Sequence, residues 1–541
     1  MRGVNPSAWP QLPHDEAPRT PELSEPRYEL TAETGLRLGL RDGVRIAYDV
    51  FRPSAPGRRF PALVAWSPYG RQVQRTSVPI PQNEAGITEF WVPRGYVHVI
   101  ADARGSNDSE GDWDLLGPTE IADLVELVDH VAAAPWCDGR VGMVGCSYFG
   151  VCQNQLAALA PPSLKAIFPQ DALTDWYRDA FFHGGIPAEF ARDWAADVTF
   201  LNAWSGRRAR VAGIERHVRG LLGLAEPFDG PYYRARAAWP VLGRIGVPAY
   251  FGTNWRYHDL HLRGALEAWT ETGSIEKRLL LGPRPLPMRP YATYHLEALR
   301  WYDLWLKELD TGVLDGDPIR IWVQGEDRWR GEREWPLART TWREWFLGGP
   351  GGGLAGTLEE TPGDDSARTY AYRPQDAAAW VRGEPRLVYR SPPLERELEV
   401  TGPVALTLVA ASTAEDTDWI AWFCDEAPDG TRDVLAKGWL RASHRALDPE
   451  RTLPYRPWHP HTAAATAPVP PGEPGEYAIE IWPTSNLFRP GHRLRLELAS
   501  CDPLDQLGRW ANRSLFVPAD NTVLEGRTHR SRLLLPVIPR P

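Results

Sequence analysis

The sequence predicts a parallel α/β sheet that is interrupted by a helical insertion and followed by a separate all-β domain. Three observations carry this. Up to about residue 170, short continuously apolar runs alternate with a helical pattern, as strands buried on both faces require. Aromatic-rich helical segments then break the rhythm over 171–240, and after the glycine tract Gly348–Gly353 only short alternating segments with turn signals remain. A chain of 541 residues is long enough for about three domains, at roughly 100–200 residues each.

Residues 1–27 read as an N-terminal arm. From Tyr28 to Pro53 apolar and polar residues alternate around Asp42-Gly43, which predicts antiparallel strands. Within a first core segment, 28–170, the runs Phe60–Pro68, Tyr96–Gly105 and Arg140–Gly150 are the candidate parallel strands. Between the last two, Ile121, Leu124, Leu127, Val128 and Val131 recur at helical spacing over Glu120–Ala134. The insertion, 171–240, contains "DWYRDAFFHGG", "EFARDWAADVTFLNAWSG" and "GIERHVRGLLGL", all read as helical. A second core segment, 241–345, resumes with strand-like runs at Val247–Trp255 and Lys277–Pro283 and closes with an amphipathic helix over Tyr294–Leu309. Residues 346–541 read as a β-sandwich or jelly roll, with His459–Pro474 as a loop or strap.

Composition narrows the function. The net charge of −10 is a mixture of both signs along the chain, so nucleic acid is not an expected partner. Met1–Pro26 lacks an apolar signal region and nowhere do 18 apolar residues run together, which predicts a cytoplasmic protein without a membrane partner. The five cysteines (Cys137, Cys146, Cys152, Cys424, Cys501) form no CxxC pair, as expected for reduced thiols and no structural zinc. Neither phosphate-binding glycine motif is present, and the acidic stretch Asp102–Asp112 fails the spacing of a calcium loop, so no cofactor and no metal are expected.

One motif carries chemistry. Gly145-Cys146-Ser147-Tyr148-Phe149-Gly150 places a serine between a buried strand and a helical stretch, in the pattern G-x-S-x-x-G. Small residues there permit a strained turn that projects the serine hydroxyl at the carboxyl edge of a sheet, with the Tyr148 amide pointing into an oxyanion site. The plain alternative is a structural turn serine. In the insertion, Trp176, Tyr177, Phe181, Phe182, Phe190, Trp194, Phe200 and Trp204 either stack an acyl group or fill the cap's own core, and Trp176 and Phe182 are taken as substrate-binding.

The stretches "LRDGVRIAYDVFRP", "WSPYGRQ", "DARGSNDSEGDW", "PWCDGRVGMVGCSYFG", "VTGPVALTLVAASTAEDTDW" and "NTVLEGRTHRSRLLLPVIP" resemble the CocE/NonD family of α/β-hydrolases, the cocaine esterase and X-Pro dipeptidyl-peptidase group. The resemblance spans nearly the whole chain in order. It implies an α/β-hydrolase core, an inserted helical cap and a C-terminal jelly roll, with hydrolysis of an ester or amide. It implies Ser147 as nucleophile, Tyr69 of "SPYG" as oxyanion donor beside the Tyr148 amide, and Asp259 as the acid. That acid stands in Trp255-Arg256-Tyr257-His258-Asp259, two residues longer than the family's Trp-Tyr-Asp.

One departure matters more. The family's histidine loop corresponds to Gly282-Pro283-Arg284-Pro285-Leu286, so Leu286 occupies the imidazole position. A serine without a general base is a poor nucleophile. Three readings stay open: another histidine (His258, His261 or His295) supplies the base; Ser147 forms a slow acyl-enzyme or uses a base from the substrate; or the pocket is retained without hydrolysis, for acyl transfer, cyclisation, lyase chemistry or binding. His295, nine residues beyond Leu286, is taken as the catalytic candidate. Arg71 and Arg284 are candidates to receive a substrate carboxylate. The expected partners are a small-molecule ester or amide and, in a homodimer, a second copy of the chain.

Overall fold

The computed structural model describes residues 22–75, 84–204, 211–255, 259–283, 290–376, 385–503 and 510–540. Alternation and turn chemistry build the first hairpin. Strands β1 (Leu30–Gly39) and β2 (Arg45–Pro53) pair antiparallel across the turn at Gly43, where the Asp42 carboxylate accepts from the Val44 N–H at 3.1 Å. The apolar runs follow as β3 (Phe60–Ser67), β4 (Val97–Asp102), β5 (Cys137–Met143) and β6 (Leu164–Ala166). β3 and β4 are buried along their whole length, as expected of central strands with both faces covered. The hydrogen-bonded order is β1-β2-β4-β3-β5-β6, and β4, β3, β5 and β6 run parallel. A helix over Pro118–Ala133 joins β4 to β5 and buries Ile121, Leu124, Leu127, Val128 and Val131, the predicted face.

The insertion departs from its predicted helical character at one point. Trp176–Phe181 form a single π-helical turn whose N-cap, Asp175, accepts from the N–H groups of Tyr177 and Arg178. The helix stops there. Gly184 and Gly185 take φ of 55° and 86°, and the chain turns into a small hairpin, β7 (Phe182–His183) and β8 (Ile186–Pro187). A Cβ on Gly184 would lie 2.0 Å from the carbonyl oxygen of Trp439, so the glycine is what lets this hairpin seat on the C-terminal domain. Helical segments at Phe190–Trp204, Glu215–Leu221 and Pro231–Arg234 complete the cap.

The core then resumes with β9 (Ala249–Asn254), β10 (Lys277–Gly282) and β11 (Ile319–Val323), all parallel, and β12 (Arg328–Glu332) antiparallel at the edge. Bridges from Ile167 to Ala249 and from Gln170 to Gly252 join this group to β6, so one continuous sheet carries the elbow strand and β9 close together.

The C-terminal domain has the strands β13 (Thr341–Gly348), β14 (Ala355–Glu359), β15 (Ser366–Tyr372), β16 (Leu387–Arg390), β17 (Leu398–Ser412), β18 (Asp418–Glu426), β19 (Arg432–Arg441), β20 (Gly475–Phe488), β21 (Arg493–Ala499), β22 (Ala519–Glu525) and β23 (Arg532–Ile538). Because β23 pairs with both β13 and β17, the order β17-β20-β19-β18-β21-β16-β14-β13-β23 closes on itself into a barrel-like sheet around its own apolar core. β13 straddles the expected boundary at 345/346, since its partner is the last strand of the chain. Trp422, Trp439 and Trp482 face outward into the apolar cluster of the α/β core, which welds the domains together. Among the described residues no helix is long and apolar enough to cross a membrane.

Candidate active site

The elbow follows from its glycines. After β5, Gly145 has φ 125°, and a Cβ there would come within 2.4 Å of the Phe149 Cβ. A Cβ on Gly150 would meet the Gln170 carbonyl oxygen at 2.6 Å. Between them Ser147 is held at φ 59° and ψ −122°, a conformation that costs a non-glycine residue roughly 1–3 kcal/mol and persists only where its surroundings over-determine it. Those surroundings are backbone bonds. Cys146 N–H donates to Glu84 O at 3.1 Å, Ser147 N–H to Gln170 O at 3.0 Å, and the Gly150 and Val151 N–H groups to Ser147 O at 2.8 Å each. The serine is thus fixed by its main chain.

Tyr148 begins the helix Tyr148–Ala157, so its N–H has no intrahelical acceptor and points out beside Ser147. Its side chain turns the other way. The phenol donates to Glu120 at 2.6 Å and accepts from Trp113 Nε1 at 3.0 Å, and Glu120 also accepts from Trp66 Nε1 and the Leu116 N–H. Burial pushes the Glu120 carboxyl up to about 7, against the pull of these donors. Tyr69 lies over the elbow, its ring 5.8 Å from that of Tyr148 and 6.0 Å from that of Phe149. Its hydroxyl oxygen accepts from Trp194 Nε1 at 2.8 Å, which polarises the phenol as a donor.

An aromatic wall continues from there. Trp194 stacks on Tyr148 and Phe190, and Phe190 stacks on Trp510 of the C-terminal domain at 5.8 Å. Trp176, a predicted binding residue, contacts Tyr148, Trp194 and Phe181. Phe182 does not join it. It stacks on Tyr177 at 4.5 Å within the cap's own core, which corrects its expected place in the pocket. Arg71 is a second correction: its guanidinium donates to Asp49 at 2.9 Å, to Asp108 at 2.6 Å and to Asp102, and with its charge met by three carboxylates at 4% exposure it is not presented to a substrate carboxylate. Arg284, Leu286 and His258 lie outside the described residues. His295 sits on the helix Pro290–Lys307 with its ring 4.6 Å from Phe90, and His261 is buried at the start of the helix Leu262–Glu271; neither is hydrogen-bonded to Ser147.

Asp259 follows β9, at the same carboxyl edge of the sheet as the elbow, but its partner is unexpected. Lys437 of β19 donates to it at 3.3 Å. Around this pair stand His183, Asp502 and Asn512: Asn512 Nδ2 donates to His183 Nδ1 at 3.0 Å, and Asn512 N–H donates to Asp502 at 2.7 Å. Asp502 is pushed up to about 6, mainly by burial, with Lys437 opposing and Asp259 adding; His183 is pushed down to about 4 by burial. Nothing local in the sequence marks these residues, because they come from the cap hairpin, β19 and the segment after β21. Among the described residues no group of three His, Cys, Asp or Glu side chains is placed to hold a metal ion.

A strained serine turn between a parallel strand and a helix, under an aromatic cap, is the architecture of an α/β-hydrolase of the serine type. Comparison with known proteins agrees. Residues 42–284 match the X-Pro dipeptidyl-peptidase (S15 family) model, and residues 311–534 match its C-terminal non-catalytic domain. The chain is 28% identical to the cocaine esterase of Rhodococcus sp. (strain MB1 Bresler), over 93% of this chain and 97% of the relative. Its fold is similar to that of a CocE/NonD family hydrolase from Staphylococcus aureus (TM-score 0.82, 22% identity, 94% of each chain) and of an α-amino acid ester hydrolase (TM-score 0.74, 17% identity, 94% of this chain and 97% of that one). The chain belongs to the CocE/NonD family of serine hydrolases.

Proposed function

We propose that this chain acts on a small-molecule ester or amide through an acyl-enzyme on Ser147. The observation that carries this is the backbone of Ser147, strained at φ 59° and locked by three main-chain hydrogen bonds of its own and one of Cys146, with Tyr69 and the Tyr148 N–H beside it. In that geometry Ser147 Oγ adds to the acyl carbon while its proton passes to water or to a basic group of the substrate, the source from which the leaving group is then protonated. The Tyr69 hydroxyl and Tyr148 N–H donate to the oxygen that gains charge. Collapse of the tetrahedral species breaks the bond to the alcohol or amine, which leaves with a proton, and water then releases the acyl group as a carboxylic acid. With Leu286 where the family carries its histidine, turnover is slow: loss of a triad member leaves roughly 10³–10⁴-fold acceleration over water. The five cysteines, all buried free thiols, support the cytoplasm as its compartment.

The test is labelling with a fluorophosphonate and release of p-nitrophenol from short esters, each compared with Ser147→Ala. Labelling at Ser147 with turnover lost in the variant is expected; activity identical in the two proteins overturns the proposal. A second reading has its own support. Asp259 is engaged by Lys437, and no imidazole meets Ser147 among the described residues, which suits acyl transfer, cyclisation, lyase chemistry or binding without hydrolysis. Labelled Ser147 that passes its acyl group to an added amine but not to water identifies transfer; no labelling identifies a binding pocket.

A further inference from the structure

The cluster around Asp259 holds more open hydrogen-bonding capacity than a structural ion pair needs. Lys437 and Asp259 neutralise each other at 3.3 Å, both nearly buried. Beside them are four buried polar atoms that have no hydrogen-bond partner among the described residues: His183 Nε2, Asp502 Oδ1, Asn512 Oδ1 and Trp439 Nε1. An unmade hydrogen bond of this kind costs about 1–3 kcal/mol, and native structures tolerate few. Here four share one place. His183 stacks on Trp439 at 4.5 Å and bonds Asn512, which in turn bonds Asp502, and both His183 and Asp502 interact electrostatically with Lys437 and Asp259. The roles are readable. Trp439 Nε1 is a donor and Asp502 Oδ1 an acceptor, while His183 and Asn512, hydrogen-bonded to each other, supply further capacity of both kinds.

The cluster also stands at the meeting point of the cap hairpin, the β9 loop and the C-terminal domain. The aromatic wall over the elbow adjoins it in the chain: Phe181 is two residues from His183, Trp510 is two from Asn512, and Ala188, two before Phe190, bridges to Asn512. We propose that His183, Lys437, Asp502 and Asn512 form a subsite, walled by Trp439, that takes a neutral group with both donor and acceptor functions, a carboxamide, at the far end of the acyl part of the substrate. It rests on Ser147 being the acylated residue. The open atoms choose the group: Lys437 is already paired with Asp259, a carboxylate would meet Asp259 and Asp502, and the remaining donors and acceptors together match a carboxamide, which carries both without charge.

The experiment uses p-nitrophenyl esters of straight-chain acids of four to seven carbons, ending in methyl, carboxamide, carboxylate or ammonium. At one chain length the carboxamide ester exceeds its methyl-ended counterpart about tenfold or more in kcat/KM, and that ratio collapses towards one in His183→Phe, which keeps a ring against Trp439, and in Asp502→Asn. Where one variant fails to fold, the other decides. In parallel, calorimetry on Ser147→Ala with hexanediamide and hexanamide reports the subsite without turnover, the diamide binding tenfold tighter and losing that margin with His183→Phe. Equal binding of the two amides, preference for a charged end, or a preference that both variants retain overturns the subsite. Failure of fluorophosphonate to label the wild-type protein instead overturns the acyl-enzyme, and calorimetry then judges the subsite separately.

Discussion

Replacing Tyr69 by phenylalanine removes a single oxygen from the wall of the elbow. The ring contacts at 5.8 Å to Tyr148 and 6.0 Å to Phe149 survive, so the pocket keeps its shape and only the donor is lost. One preorganised oxyanion donor is worth about 10²–10³ in rate, or about 2.7–4 kcal/mol. The structure adds a second consequence. Trp194 Nε1 loses its acceptor in a buried site, which costs about 1–3 kcal/mol of stability and lowers the melting temperature without abolishing folding. Fluorophosphonate labelling passes through the same oxygen-charged geometry, so its rate constant is the direct measure. Tyr69→Phe should label about 10²–10³ times more slowly than wild type. Trp194→Phe keeps the phenol and removes only its polarising partner, so it should fall much less. A Tyr69→Phe protein that melts natively and labels at the wild-type rate refutes the oxyanion role.

Two other expectations follow from buried charge. Glu120 has a folded value near 7 against an ordinary 4.5, so the native state holds a proton that the unfolded chain releases between these pH values. Its contribution is therefore most favourable at the acid end and is lost as pH rises through about 7, by up to about 3 kcal/mol, and Glu120→Gln should flatten that part of a melting-temperature profile; an unchanged profile refutes it. Lys437→Met leaves Asp259 buried without its cation and should destabilise by about 3–5 kcal/mol, whereas the double variant with Asp259→Asn recovers much of the loss. Additive losses in denaturant titrations of the single and double variants would show that the pair does not couple.

The parts of the fold that were legible are those whose causes are local. β3 and β4 are buried on both faces and read as unbroken apolar runs, and the helix over Pro118–Ala133 shows its buried face in the spacing of Ile121, Leu124 and Val128. The elbow was legible because Gly145 and Gly150 each stand where a Cβ would collide with nearby atoms. Misreadings came where distant chain decides. "DWYRDAFFHGG" has helical residues up to Phe181, yet the glycines after it turn the chain onto Trp439, far along the sequence, so Phe182 faces the cap interior. Arg71 stands two residues from Tyr69 in the sequence, and three aspartates from β2, β4 and the following loop pair with it.

By itself the sequence determined the parallel sheet, the aromatic insertion, the β-rich end and the strained serine turn, since periodicity, burial pattern and turn residues act over a few positions. Only the tertiary structure decided what faces what around Ser147. Lys437 reaches Asp259 across 178 positions and Asn512 reaches His183 across 329, and no periodicity records such a pairing. The physical reason is that these partners are chosen by the closing of three domains on a shared apolar core, where a buried charge must find its counter-charge wherever the chain happens to bring it.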